Sequence, residues 1–206
     1  MFSGLGIGDI GEVFVVILIS MAAHEAMHAY VAHALGDTTA RDQGRLTLNP
    51  FKHVDLVTTV LLPVVMIIAH LPPIFAARPV PFDPRQVRFG EYGAALVGVA
   101  GPLTNLLLAV IGAVIIRFVG LGSILTNPVM LFIQVNISFF VFNMIPLPPL
   151  DGSRLVYAFA PEPVQEFMHR LESAGFLLTI GILLVLSPFI MPIISNIDST
   201  IFRLLL

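Results

Sequence analysis

The run His24-Glu25-Ala26-Met27-His28 has the residue types and spacing of a metal site. On a helix, residues four positions apart differ by about 40° around the axis and lie one turn apart, so both imidazoles can reach one ion. The carboxylate of Glu25 lies beside them, where it can take a proton from water. A zinc ion held in this way lowers the pKa of bound water towards about 7, which makes a nucleophile available at neutral pH.

The composition around this motif is that of a membrane protein. Of the 206 residues, 57% are hydrophobic and 11% are charged, whereas soluble domains have about 25% charged residues. The stretch 13–35 contains a single charged residue, Glu25. A charge at the centre of a span costs about 2.5–3.5 kcal/mol on insertion scales, and such a residue is a functional-site candidate. We therefore predict that residues 1–206 form one integral membrane domain with a polar site inside it.

Charge and cysteine content exclude several other functions. The net charge of −3 and the ten scattered basic residues provide no positively charged surface for nucleic acid, so we expect no nucleic-acid partner. The absence of cysteine excludes disulfides, thiolate zinc sites and a cysteine nucleophile.

The apolar segments predict an all-α polytopic fold with about four full transmembrane helices. A span requires roughly 20 apolar residues, and prolines interrupt or kink helices. We predict a re-entrant or half-depth segment between the first two spans, because prolines divide it, and a short extended or hairpin element after it. The predicted ranges are about 10–36 for the motif helix, 56–73 for the re-entrant segment, 77–90 for the extended stretch, and 92–118, 127–146 and 173–200 for the other helices.

Two histidines require a third protein ligand, because catalytic zinc sites commonly have three and leave one position for water. The carboxylates between residue 56 and the end of the fourth apolar segment are Asp83, Glu91 and Asp151. Asp151 follows the proline-rich break 146–149, whose freed backbone groups need a protein-lined cavity in a membrane. This position favours Asp151 as the ligand; the alternative is an aspartate that caps the following helix.

The motif helix together with Asn143, Pro146 and Asp151-Gly152 resembles the site-2 protease family of zinc intramembrane metalloproteases. The likeness extends from about residue 20 to 155, and the chain resembles the compact, mostly prokaryotic type of member without a PDZ domain.

The resemblance implies one zinc ion, held by His24, His28 and Asp151, with Glu25 as the general base. It also implies that Asn143 stabilises the oxyanion of the tetrahedral intermediate. The implied activity is hydrolysis of a peptide bond in or near the transmembrane segment of a membrane protein, which is regulated intramembrane proteolysis.

Two further polar residues, His53 and Asn105, have several possible roles. Each could lie near the active site or the substrate entrance, or serve packing or capping, and the sequence leaves these alternatives open.

Metal coordination also predicts the topology. The ligands must share one depth, so the motif helix and the helix before Asp151 run in the same direction. The basic residues then gather at one face, which is cytoplasmic by the positive-inside rule. We expect a multi-pass protein of the cell membrane, in contact with lipid and a membrane-protein substrate, with its active site nearer the cytoplasmic face. The alternative function is a transporter or proton-relay protein with a buried cluster of His, Glu and Asp.

Overall fold

The computed structural model describes residues 7–68, 77–119 and 122–206. Within these ranges the chain is helical and contains no β-strand. A 3-10 turn at Pro50–Lys52 and a π-helical turn at Leu56–Leu61 precede the third helix. The helices are α1 (Ile7–Ala34), α2 (Thr39–Asp42), α3 (Leu62–Ile68), α4 (Glu91–Val119), α5 (Ser123–Asn143), α6 (Gly152–Phe159), α7 (Glu162–Ser173) and α8 (Phe176–Leu205).

Four of these helices contain segments that are long and apolar enough to cross a membrane, which confirms the predicted all-α polytopic fold. Each segment has at least 19 residues, close to the roughly 20 that span the hydrocarbon of a bilayer. The segments are Gly11–Ala34, Glu91–Val119, Leu125–Asn143 and Gly181–Leu205.

The end of α5 differs from the expected one. The helix ends at Asn143, three residues before the predicted position 146. Pro146 accounts for the early end, because a proline disfavours the helical conformation in the residue before it.

Helix α4 is antiparallel to α1. Near the end of α1, His28 contacts the carbonyl group of Val97 at the start of α4. About two turns earlier in α1, the carbonyl group of Ser20 accepts a hydrogen bond from Asn105, which lies about two turns after Val97 in α4.

Helix α5 is parallel to α1, as we expected if the predicted ligands share one depth. The hydroxyl group of Ser20 accepts a hydrogen bond from Asn136 of α5. One turn further along α1, His24 contacts Asp151, which follows α5. The C-terminal ends of both helices therefore lie towards the candidate site.

The end of α1 holds the extended stretch that precedes α4. The chain turns at Gly36, whose φ of 110° is favourable only for glycine. The buried carboxylate of Asp37 then accepts the N–H of Asp83 at 2.9 Å. Five residues later, the N–H of Arg88 donates to the carbonyl group of Leu35 at 2.9 Å. Residues 77–90 therefore lie along the C-terminal end of α1.

The segment between His53 and Arg78 begins and ends at neighbouring positions. The carbonyl group of His53, before the segment, accepts the N–H of Arg78, after it, at 2.9 Å. Between them, residues 56–68 form only about 20 Å of helix at 1.5 Å per residue, less than the thickness of the hydrocarbon layer. Residues 69–73 of the predicted re-entrant segment lie outside the described residues.

The apolar core that supports the site lies where α4, α5 and α8 meet. It is built from small residues on α4 and branched side chains on the other two helices, which interdigitate closely. Its buried members are Ala109, Ala113, Ile133, Ile137, Val141 and Ile194.

Candidate metal centre

Three ligand atoms converge between α1 and the residue before α6. The Nε2 atom of His24 lies 3.0 Å from Nε2 of His28 and 3.0 Å from Oδ2 of Asp151. The Nε2 atom of His28 lies 3.3 Å from the same carboxylate oxygen. Zinc–ligand bonds of about 2.0–2.1 Å in a tetrahedron place neighbouring ligand atoms roughly 3.3 Å apart. The three side chains therefore have the spacing of a zinc site.

The histidine tautomers also suit a cation. The Nδ1–H of His24 donates to Oδ1 of Asn105 at 2.6 Å, and the Nδ1–H of His28 donates to the carbonyl group of Val97 at 2.7 Å. With Nδ1 protonated, each Nε2 presents a lone pair, so two lone pairs and a carboxylate face one another. A metal ion relieves this repulsion, and such outer hydrogen bonds orient histidine ligands in zinc sites. The donor set fits zinc.

Gly101 on α4 leaves the space that this ion needs. A Cβ atom at position 101 would lie 2.6 Å from Nε2 of His24 and would also meet Nε2 of His28. Any larger residue would therefore occupy the space beside the ligand atoms.

Asp151 lies at the N-cap position of α6, as the alternative interpretation expected, but its side chain makes no capping hydrogen bond. Its carboxylate contacts the two histidines instead.

The carboxylate of Glu25 is buried and held by a backbone group. Its Oε2 atom accepts the N–H of Val80, in the extended stretch, at 2.9 Å. The guanidinium of Arg45 is also buried and donates through Nη2 to the carbonyl group of Arg78 at 2.7 Å. Burial lowers the pKa of Arg45, and the charge of Arg78 contributes in the same direction, whereas the negative charge of Glu25 raises it. The negative charge of Glu25 therefore favours the charged form of Arg45, against the larger effect of burial.

Comparisons with known proteins agree with this geometry. The family model described as "Peptidase family M50" matches residues 120–187. The chain is 39% identical over 173 residues to "Putative zinc metalloprotease YwhC" of Bacillus subtilis (strain 168), covering 79% of this chain and 75% of that protein. The chain belongs to peptidase family M50, the site-2 protease family. Membership confirms the predicted resemblance and makes the chain a zinc metalloprotease.

A second curated relative is less similar to the chain in sequence. The chain is 28% identical over 180 residues to "Putative zinc metalloprotease Rip2" of Mycolicibacterium smegmatis (strain ATCC 700084 / mc(2)155). The alignment covers 81% of this chain and 64% of that protein. No solved structure matches the chain significantly.

A polar network behind the histidines of this M50 peptidase involves residues that the sequence left without a role. Asn105 donates through Nδ2 to Oδ1 of Asn136 at 2.8 Å and to the carbonyl group of Ser20 at 3.3 Å. Asn136 in turn donates to Oγ of Ser20 at 2.9 Å. Asn105 contacts His24 directly, and Asn136 and Ser20 complete the network behind it. The sequence analysis missed Asn136 and Ser20. Their signal was the presence of polar residues inside apolar spans.

Two other predicted positions of the M50 chain, in the part that the structure describes, bond to backbone groups and not to the three candidate ligands. Asn143 donates through Nδ2 to the carbonyl group of Phe139 at 2.9 Å. His53 is fully buried and hydrogen-bonds the carbonyl group of Thr47 through Nε2 at 2.8 Å. Since its own carbonyl group accepts the N–H of Arg78, His53 supports the extended stretch.

Proposed function

We propose that this M50 peptidase is an intramembrane endopeptidase, which hydrolyses a peptide bond in or near the transmembrane segment of a membrane-protein substrate. The observation that carries the proposal is the place of the candidate ligands on α1. His24 and His28 belong to the segment Gly11–Ala34, which is long and apolar enough to cross a membrane. A cleavage site at this depth is reached by a substrate that is itself in the bilayer. This activity corresponds to regulated intramembrane proteolysis.

The proposed metal site consists of one zinc ion per chain, held by His24, His28 and Asp151. Bound zinc supplies Lewis-acid activation of water and polarises the scissile carbonyl group. Support comes from the mutual spacing of the three ligand atoms and from the hydrogen bonds that turn both Nε2 atoms towards Asp151.

Glu25 is the proposed general base. With Oε2 bonded to Val80, its Oε1 atom takes the proton of the attacking water. Glu25 then delivers this proton to the departing amine, as general acid–base catalysis requires.

Asn143 is the proposed donor to the developing oxyanion. A primary amide has two N–H donors, and the bond to Phe139 uses one of them. The second can donate to the substrate oxygen as negative charge develops there.

The proposed location is the cell membrane, with the site nearer the cytoplasmic face. Because α1 and α5 lead towards the site and α4 leads away from it, the connections at the site end carry eight of the ten basic residues. Arg117 and Arg203 lie towards the opposite ends of α4 and α8. The positive-inside rule assigns the richer face to the cytoplasm. The eight are Arg41, Arg45, Lys52, Arg78, Arg85, Arg88, Arg154 and Arg170.

The proposal is tested by reconstituting the full chain in vesicles with a single-span membrane protein as candidate substrate. Wild type should cleave it and contain about one zinc per chain, as a single three-ligand catalytic site requires. Glu25→Gln and chelation should each abolish cleavage, and zinc should restore the chelated sample. Glu162→Gln, at an exposed position on α7, is the matched control and should cleave normally.

Three results would contradict the proposal. Cleavage that persists in Glu25→Gln would show that Glu25 is not the general base. Cleavage confined to soluble substrates would show that the protein is not an intramembrane peptidase. Proton flux without proteolysis would favour the relay alternative.

A further inference from the structure

The general base of the proposed reaction is held by a backbone group from outside its own helix. Val80 lies between Pro79 and Pro81 in the extended stretch, and its N–H donates to Oε2 of Glu25 at 2.9 Å. Each proline restricts its own φ to about −65°, so the peptide groups on both sides of Val80 have little freedom. The donor is therefore well suited to hold a carboxylate in one orientation.

Arg78, two residues before Val80, is held at both of its backbone polar groups. The N–H of Arg78 donates to the carbonyl group of His53 at 2.9 Å. Its carbonyl group accepts a hydrogen bond from Nη2 of Arg45 at 2.7 Å. Since residues 78 and 80 lie on the same edge of an extended chain, this bond places the Val80 N–H opposite Glu25.

Arg45 makes this contact from a buried position, which is unfavourable because a charged guanidinium loses its hydration there. Only 6% of its surface is exposed, and its Nε atom has no hydrogen-bond partner among the described residues. In the ranges that the structure describes, no carboxylate lies within ion-pair distance of its guanidinium. Burying a charge without a direct counter-ion is unfavourable, although the longer-range attraction to Glu25 offsets part of this cost.

We propose that Arg45 is a positioning residue of the active site: through the Arg78 carbonyl group it fixes the Val80 N–H, which in turn holds Oε2 of Glu25. The inference rests on the proposed role of Glu25 as general base. Among the described residues, Arg45 makes no hydrogen bond or ion pair with the candidate ligands. Its loss should therefore impair the chemical step while substrate binding and zinc binding remain intact.

The principal test compares Arg45→Met, Arg45→Lys and Arg41→Met in the reconstituted full chain. Methionine keeps much of the apolar stem but cannot donate, whereas lysine can donate to the Arg78 carbonyl group. Arg41 belongs to the same connection, but its ion pair with Asp42 is exposed, so it is the matched control. We expect kcat to fall by about 100-fold in Arg45→Met, the effect of a misplaced catalytic group, with KM and zinc content unchanged. Arg45→Lys should recover much of the loss, and Arg41→Met should equal wild type.

A second readout is independent of activity. Hydrogen exchange of the Arg78 and Val80 amides should be faster in Arg45→Met by about tenfold or more, because a factor of ten corresponds to the loss of roughly one hydrogen bond. Exchange in Arg45→Lys and Arg41→Met should match wild type. Unchanged exchange or unchanged kcat in Arg45→Met would overturn the inference, as would a rise in KM, a loss of zinc or the absence of recovery with lysine.

Val80→Pro and Val80→Ala decide the matter if Arg45→Met does not fold. Proline removes the N–H, and alanine keeps it while removing more of the side chain. We expect Val80→Ala to be at least about tenfold more active than Val80→Pro; equal activities would overturn the inference.

Glu25→Gln in the same assay separates the two proposals. If wild type and Glu25→Gln are equally active, the proposed role of Glu25 as general base fails, and the positioning role of Arg45 fails with it. If Glu25→Gln is inactive and Arg45→Met is fully active, only the positioning role fails.

Discussion

The Oδ1 atom of Asn105 lies 2.6 Å from Nδ1 of His24 across the interface between α4 and α1. The bonds from Nδ2 of Asn105 to Asn136 and Ser20 determine which amide atom faces the histidine. Because Oδ1 can only accept, Nδ1 of His24 carries the proton and Nε2 is left with a lone pair. A neutral amide on a neighbouring helix thus prepares the first candidate ligand.

Asn105→Ala should therefore weaken zinc binding. Loss of an outer hydrogen bond to a metal-bound histidine typically lowers metal affinity or activity by about 10–100-fold. Competition with a fluorescent chelator measures this change directly. Thr104→Val is the matched control, because in the ranges that the structure describes the Thr104 hydroxyl donates to the carbonyl group of Ala100 in its own helix. Equal zinc affinity in Asn105→Ala and wild type would contradict the role of Asn105.

Gly101→Ala should abolish zinc binding while the helical bundle still forms. The added Cβ atom would lie 2.6 Å from Nε2 of His24, well inside van der Waals contact, and would displace the ligand atoms. Zinc content after purification and circular dichroism in detergent are the measurements. Gly181→Ala on α8 meets nothing within 4 Å and should retain zinc. A zinc-loaded Gly101→Ala protein would show that the site lies elsewhere.

Asp37→Ala should destabilise the connection between α1 and the extended stretch. The Asp37 carboxylate is 1% exposed and accepts the N–H groups of Thr39 and Asp83. Leaving these donors unsatisfied costs about 1–3 kcal/mol, which should appear as a lower free energy of unfolding in detergent. Asp42→Ala removes an exposed carboxylate from the adjacent helix α2 and should leave stability unchanged. Identical free energies of unfolding for the two variants would rule out a stabilising role of the Asp37 hydrogen bonds.

Asn143→Ala should lower kcat by about 10²–10³-fold, the usual effect of losing one oxyanion donor. KM should change little, because the bond strengthens only as charge develops. Asn127→Ala, at an exposed position near the start of the same helix, should behave as wild type. A kcat unaffected by Asn143→Ala would remove this residue from the reaction.

Single-cysteine labelling tests the orientation without background, since the chain contains no cysteine. Lys52→Cys and Arg85→Cys lie at the site end, and 90% of the Arg85 side chain is exposed. Both should react with a membrane-impermeant thiol reagent only after the membrane is opened. Arg117→Cys, at the far end of α4, should react in intact cells. Residues 52 and 85 on opposite faces would refute the topology.

The membrane class and the helix that carries the two candidate histidine ligands could be predicted from local pattern alone. On a helix, the spacing of His24 and His28 places both side chains on one face. Apolar runs of about 20 residues are typical of transmembrane helices. The all-α fold with four spanning helices was predicted correctly for the same reason.

The supporting contacts could not be predicted in this way. The hydrogen bond from Val80 to Glu25 uses a backbone N–H, which every residue except proline possesses, so no side-chain pattern marks it. Asn105 and Asn143 were both candidates from the sequence, yet it is Asn105 whose side chain contacts His24, while that of Asn143 bonds within its own helix.

The sequence by itself determined the chemistry that is available: two histidines and a glutamate on one helix, an aspartate after a proline break, and few charges elsewhere. The tertiary structure decided which partners complete it. Asn105 of α4, Val97 of α4 and Val80 of the extended stretch lie 81, 69 and 55 residues from the groups they hold. Contacts over such separations depend on how the helices pack against one another, and the local periodicity of a single chain carries no record of that packing.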